Sequence, residues 1–372
     1  MLKILSIILL STIILQAQSI TSLGKMLFFD VALSKNKTQS CSTCHNPEHA
    51  FVDNRSNGVN SMVSLGDNLK SRGNRNAPTA AYAMLSPHFY FDVKKQEYKG
   101  GQFLDGREDD LAGQAGGPPL NPIEMGMPDK KTIIDRLKKN KTYVTIFQEN
   151  FGKKIFEDVD QAYKAMSLSI EAFEKTKTFA PFDSKYDRYL KDEYDLSVLE
   201  DLGRTLFFSN NNLSCAKCHL LKTEDDEGET FSNYEYHNIG VPRNKTLIKE
   251  GIVSTKYIDH GLLENPKITD KKHDGKFKVP TLRNIAVTAP YMHNGVFKSL
   301  RTVIEFYDKY NNKQRVNNPE TNKPWASAEV EETINLDLLK AKKLTDRKVD
   351  ALIAFMKLLT DKRYEHLLND AK

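Results

Sequence analysis

All four cysteines of the 372-residue chain fall in two copies of one pentapeptide, Cys41-Ser42-Thr43-Cys44-His45 and Cys215-Ala216-Lys217-Cys218-His219. In Cys-x-x-Cys-His the two thiols can add covalently to the vinyl groups of a porphyrin, and the adjacent imidazole can coordinate the iron from one face. This is the attachment chemistry of a c-type haem. A structural zinc site would need four ligands converging from both motifs, and a thioredoxin-like pair needs neither the trailing histidine nor a second copy. A pair of disulfides is the third alternative. The chain is read as binding two covalent c-type haems, one through Cys41, Cys44 and His45 and one through Cys215, Cys218 and His219.

The segments around the motifs are themselves duplicated. Leu23-Gly24-Lys25-Met26-Leu27-Phe28-Phe29 precedes the first motif and Leu202-Gly203-Arg204-Thr205-Leu206-Phe207-Phe208 the second. Beyond each comes a Pro-Thr step (Pro78-Thr79, Pro280-Thr281), then a turn (Asp105-Gly106, Asn294-Gly295), then a leucine five residues after the glycine (Leu111, Leu300). One unit used twice predicts a mainly α fold: two tandem cytochrome c-like helical domains with long loops, one haem each. Helical spacing puts Tyr163, Met166, Ile170 and Phe173 on one face, and Val349, Leu352, Ile353 and Met356 on another behind Thr345 as N-cap. The expected boundaries are 18–185 and 186–372, with a charged, Tyr-rich linker around Pro181 to Asp195.

The halves differ where an iron ligand would stand. Seven residues after Leu300, on a helix whose inward face is Leu300, Val303, Ile304 and Tyr307, comes Tyr307; seven after Leu111 comes Pro118. A tyrosine oxygen can ligate haem iron, whereas proline has no donor, so haem 2 would be closed by Tyr307 and haem 1 left open. Met292 is the competing ligand, and a purely core role for Tyr307 is the plainer alternative. The run Gln114 to Met125 is too rich in Gly and Pro for a helix and reads as a loop across the open face, bracketed by Gln114 and Glu124. A carboxylate there can shuttle a proton between the oxygens of a bound peroxide, and an amide can orient it. On spacing alone Glu124 could equally be a solvated or capping side chain.

Met1-Leu2-Lys3, the apolar run Ile4 to Leu15 and the small residue Ala17 predict a secretory signal peptide over 1–17 and a periplasmic destination; an uncleaved anchor is the alternative. The apolar run is shorter than the roughly 20 residues of a spanning helix, so no membrane span is expected after cleavage. With 54 basic and 49 acidic residues the net charge is +5, which gives no warrant for nucleic-acid binding.

Taken together, the segments 23–30, 41–47, 75–79, 105–107, 114–125, 279–284 and 289–295 resemble the bacterial di-haem cytochrome c peroxidase and MauG family over almost the whole mature chain. The resemblance implies that Gln114 and Glu124 form the catalytic distal pair. It also implies a calcium ion between the domains, held by the Asn76 side chain and the Thr288 and Pro290 carbonyls. Three departures stand out. No histidine lies in the loop before Asn76 to cap haem 1, where His49 and His88 are poor substitutes. Tyr307 falls where many members carry methionine. Leu104 falls where the family usually places a tryptophan between the haems, the only tryptophan being Trp325 in a polar insert that reads as a surface loop.

The resulting expectation is a periplasmic peroxidase that reduces hydrogen peroxide to water with electrons from a small c-type cytochrome or cupredoxin. The alternatives are a MauG-like oxidase acting on a partner protein or organic substrate, and a non-enzymatic electron carrier. A homodimer is common in families of this kind.

Overall fold

A computed structural model describes residues 19–209, 215–221 and 228–369; the leader expected at 1–17 lies outside them. The helices in chain order are α1 (Ile20–Phe28), α2 (Cys41–Cys44), α3 (Leu111–Gly116), α4 (Lys130–Leu137), α5 (Lys141–Phe151), α6 (Val159–Glu174) and α7 (Lys185–Tyr189). They continue with α8 (Val198–Phe208), α9 (Cys215–Cys218), α10 (Lys245–Lys249), α11 (Leu300–Asp308), α12 (Leu336–Leu339) and α13 (Asp346–Leu358). Among the described residues, regular sheet is confined to three two-stranded antiparallel pairs. The fold is mainly helical. No helix among the described residues is long and apolar enough to cross a membrane.

The duplicated Leu-Gly segments become equivalent helix pairs. α1 packs on α6, and α8 packs on α13. At each crossing the shared glycine removes the side chain that would block close approach: a Cβ on Gly24 would lie 1.7 Å from the Ser169 carbonyl oxygen, and one on Gly203 1.9 Å from that of Ala351. Ser197 and Glu200 close a reciprocal capping box at the start of α8, satisfying backbone donors that the helix leaves unpaired. α6 starts at Asp158, whose side chain accepts from the Gln161 amide. Tyr163, Met166, Ile170 and Phe173 are buried along one side of α6 as the spacing predicts. Thr345 does sit at the N-cap of α13, but its side chain makes no capping bond.

Two main apolar cores result, one built from buried residues between Leu23 and Ala180 and one from residues between Tyr186 and Leu359. The segment expected as a charged linker is firmly anchored. Ser184 caps α7 in a capping box, Tyr186 enters the second core, and buried Asp187 receives both terminal nitrogens of Arg283 at 2.7 and 3.0 Å. Its charge compensates a guanidinium that is 0 % exposed, which spacing could not reveal. Polar contacts also join the halves. Tyr82 donates to Asp361 Oδ1 at 2.5 Å while Asn284 donates to Oδ2 at 2.8 Å, and Arg75 bridges Asp105 and Asp259.

The polar insert differs from its expectation. Trp325 is half-buried against the second core, edge-on to Phe297 and Phe306, and its indole N–H donates to the Arg315 carbonyl at 2.8 Å. An indole carries enough apolar area to draw an otherwise polar hairpin inward.

Candidate haem sites

Each Cys-x-x-Cys-His motif forms one helical turn followed by the same hydrogen bond. His45 Nδ1 stands 3.2 Å from the Phe51 carbonyl and His219 Nδ1 2.9 Å from the Phe231 carbonyl. The two accepting residues share left-handed φ values of 53° and 57°. The Pro-Thr step explains why. Thr79 donates to the Ala50 carbonyl at 2.6 Å and Thr281 to the Thr230 carbonyl at 2.7 Å, pinning both turns. With Nδ1–H directed to a carbonyl, each Nε2 keeps its lone pair for a metal and the ring orientation is set. Burial lowers the pKa of both imidazoles, that of His219 to about 4, so the neutral ligand form prevails at neutral pH.

The four cysteines stand as two separate pairs with free thiols. Burial pushes the Cys44 and Cys215 thiols up to about 12, which suits an apolar thioether environment and not zinc, whose ligands are thiolates.

Around the second motif lies a cavity of about 350 Å³, lined by Cys215, Cys218 and His219 and by Leu300, Val303, Ile304 and Tyr307 of α11. The predicted inward face of that helix is thus the one the cavity meets. Met292 lines the same cavity, on backbone with φ of +71°. Burial, with Cys218 and Cys215 adding, raises the Tyr307 phenol well above its ordinary pKa. Two buried basic residues that the sequence reading missed share this wall. His237 is 8 % exposed, and neither ring nitrogen finds a hydrogen-bond partner, Nε2 standing 3.5 Å from Glu235. Burial lowers its pKa and the Glu235 carboxylate opposes this. Lys278 forms no ion pair among the described residues and donates to Ser86 Oγ and the Gly101 carbonyl; burial brings it down to about 7. Apolar walls, the free Nε2 of His219 and a buried lysine without an ion pair among the described residues suit an amphipathic haem with anionic propionates.

At the first motif, Glu124 lies close enough to Cys44 for its charge to raise the thiol pKa. Burial raises the Glu124 carboxyl above the ordinary range, against the opposing pull of Arg107 and Asn121. The turn carrying it is tied down by backbone bonds from Glu124 and Gly126 to Asn121 and from Met125 to Pro118, and Asp67 N donates to the Glu124 carbonyl at 2.7 Å. The segment from Gln114 is not wholly loop. Gln114 stands in α3, which runs to Gly116 before a short 3-10 turn over Pro118–Leu120. Its glycines are tolerated because Asp110 caps the helix at Gly113 and Tyr163 donates to the Gly116 carbonyl. α3 and α11 begin at Leu111 and Leu300 behind equivalent caps, Asp110 and Ser299. Pro118 thus follows Leu111 at the same spacing as Tyr307 follows Leu300, but it lies on the 3-10 turn beyond α3, whereas Tyr307 lies within α11.

Arg55 was also missed; it donates to Cys44 Sγ at 3.4 Å and pairs with Asp53. His88 is 77 % exposed beside Asp110. Asn76, Thr288 and Pro290 all line the large cavity, and Asn76 Nδ2 donates to the Met62 carbonyl. Leu104 lines the cavity too, next to Phe103, over whose ring the Arg107 guanidinium sits at 3.6 Å.

A family model described as di-haem cytochrome c peroxidase matches residues 18–195. The methylamine utilization protein MauG of Paracoccus denitrificans is 47% identical over 95% of this chain and 92% of its own length. The cytochrome c peroxidase Ccp of Escherichia coli is 31% identical over 78% of this chain and 53% of its own. The diheme peroxidase BthA of Burkholderia thailandensis superposes with a TM-score of 0.82 at 28% identity, covering 93% of this chain and 87% of BthA.

Proposed function

This chain belongs to the di-haem cytochrome c peroxidase family, and from that premise we propose that it is a periplasmic enzyme reducing hydrogen peroxide to water, with a small c-type cytochrome or cupredoxin as donor. The observation that carries the reading is an asymmetry between the two halves, whose α3 and α11 begin at equivalently capped leucines. Seven residues on, Pro118, which cannot ligate iron, stands on the 3-10 turn beyond α3, whereas Tyr307 stands within α11.

When bound, the two haems supply redox-active irons able to exchange electrons with peroxide and with each other. The protein's part begins with His45 and His219, held by the Phe51 and Phe231 carbonyls so that each Nε2 would be free to hold a haem iron. Glu124, deprotonated, takes the proton from one peroxide oxygen and returns it to the other, so that water and not hydroxide departs. Gln114 orients the peroxide by its amide. Tyr307 closes the distal side of the second site, with Met292 as the competing ligand in the same cavity. Asn76, with the Thr288 and Pro290 carbonyls, is assigned to calcium, an oxygen-rich set suited to a hard cation.

Tyr307 and the 47% identity to MauG favour a second reading, in which the same oxidising equivalents act on a partner protein or organic substrate. Adding peroxide to the haem-loaded protein with a reduced small cytochrome c separates the two. Turnover supports the peroxidase, a stable oxidised form without turnover supports the second reading, and no spectral change refutes both.

A further inference from the structure

The single tryptophan of the chain lies at the end of an aromatic path that starts in the haem 2 cavity. Tyr307 lines that cavity, its ring centroid 6.0 Å from that of the fully buried Phe306. The Phe306 ring in turn stands 5.7 Å from Trp325 at an interplanar angle of 68°. Phe297, 5.9 Å away, backs the indole from a second side. Trp325 is half-buried, while residues 321–324 before it and Val316 beside it are exposed. Two ring-to-ring steps thus link the second haem site to the protein surface.

Of the rings on this path, an indole gives up an electron most readily. A phenyl ring does so least, and a buried, protonated phenol cannot easily release its proton. Lys309 Nζ stands 4.1 Å from the Phe306 centroid and 5.6 Å from that of Trp325. A positive charge there disfavours a lasting cation on the indole, so the oxidised ring is a transient that is refilled from outside.

We propose that Trp325 is the surface relay through which a one-electron donor, a small redox protein, feeds the second haem. This inference rests on the peroxide-reducing reading above. In each cycle one electron leaves the indole by way of Phe306 and Tyr307, its N–H remaining bonded to the Arg315 carbonyl. The donor then returns one electron and restores the neutral indole. Two cycles deliver two electrons which, with two protons, convert one hydrogen peroxide to two waters. The relay also gives the chain an oxidisable ring on the outer side of the second site, whereas position 104 itself supplies none, being leucine.

The test uses the haem-loaded full chain, the variants Trp325→Phe, Trp325→Tyr and Glu124→Gln, hydrogen peroxide, and a reduced small cytochrome c. Without donor, peptide mapping by mass spectrometry is expected to find Trp325 oxidised in the wild type and about tenfold less so in Glu124→Gln, which separates relay from direct attack by peroxide. With donor, Trp325→Phe is expected to lose about tenfold in turnover while keeping the initial peroxide-induced spectral change, and Trp325→Tyr, which remains oxidisable, to recover most of it. The relay is overturned by Trp325 oxidation that ignores Glu124→Gln, by undiminished turnover in Trp325→Phe, or by equal impairment of both Trp325 variants, which would mean a packing role. If the wild type shows no spectral change with peroxide, the peroxidase reading itself fails and the relay with it; a normal change with Trp325→Phe unimpaired overturns the relay alone.

Discussion

Glu124→Gln isolates proton transfer from every other contribution at the first site. The substitution keeps shape and volume, and it removes a carboxylate that burial disfavours in its charged form, so the fold should not suffer. What is lost is the base. General acid–base catalysis contributes roughly 100- to 10,000-fold, so peroxide turnover at neutral pH should fall by about 100-fold or more, equivalent to about 2.7 kcal/mol of barrier. The pH dependence carries independent information. A base works when deprotonated, so activity should be lost as pH falls through the Glu124 pKa. Burial raises that pKa, placing the acid limb above the roughly 4.3 of an ordinary glutamate. Arg107 opposes the rise, so Arg107→Gln should move the limb to still higher pH. Stopped-flow measurement of peroxide consumption between pH 4 and 8 reads both effects. Turnover of Glu124→Gln within about threefold of the wild type, or an acid limb unmoved by Arg107→Gln, would remove Glu124 from the role given to it.

Tyr307→Phe should convert a low-spin ferric haem to high spin and raise its potential, whereas Met292→Leu should leave the spin state alone; the reverse, seen by absorption and potentiometry, would assign Met292. Gly203→Ala normally gains about 0.5–1 kcal/mol in a helix interior, but the new Cβ would meet the Ala351 carbonyl and overpacking costs about 1–3 kcal/mol, so Tm of the holoprotein should fall and a higher Tm would contradict the crossing. Asp187→Ala strands the fully buried Arg283 and should cost about 3–5 kcal/mol in urea unfolding, where a loss below about 1 kcal/mol would show that the pair is not structural.

Much of this architecture was legible because it depends on local chemistry. The Cys-x-x-Cys-His turns, the Leu-Gly helices and the Leu111 and Leu300 registers recur in the structure because each rests on residues adjacent in sequence. The inward face of α11 followed from its period. Long-range compensation was not legible. Asp187 reads as one more charge in a polar stretch until Arg283 arrives from 96 positions away, and Trp325 reads as a loop residue until Phe297 and Phe306 enclose it. Gln114 was misplaced for a related reason: the glycines of α3 argue against a helix, and what stabilises it is a bond from Tyr163 on another helix. His237 and Lys278 carried no signal, since nothing in sequence marks a basic residue as buried.

The central claim is that one scaffold, used twice, leaves one haem open at Pro118 and closes the other at Tyr307. Electron paramagnetic resonance of the fully oxidised, haem-loaded protein tests it most directly by counting spin states. The account predicts one high-spin and one low-spin ferric haem per chain, the low-spin signal disappearing in Tyr307→Phe. Two low-spin haems in the wild type would contradict it.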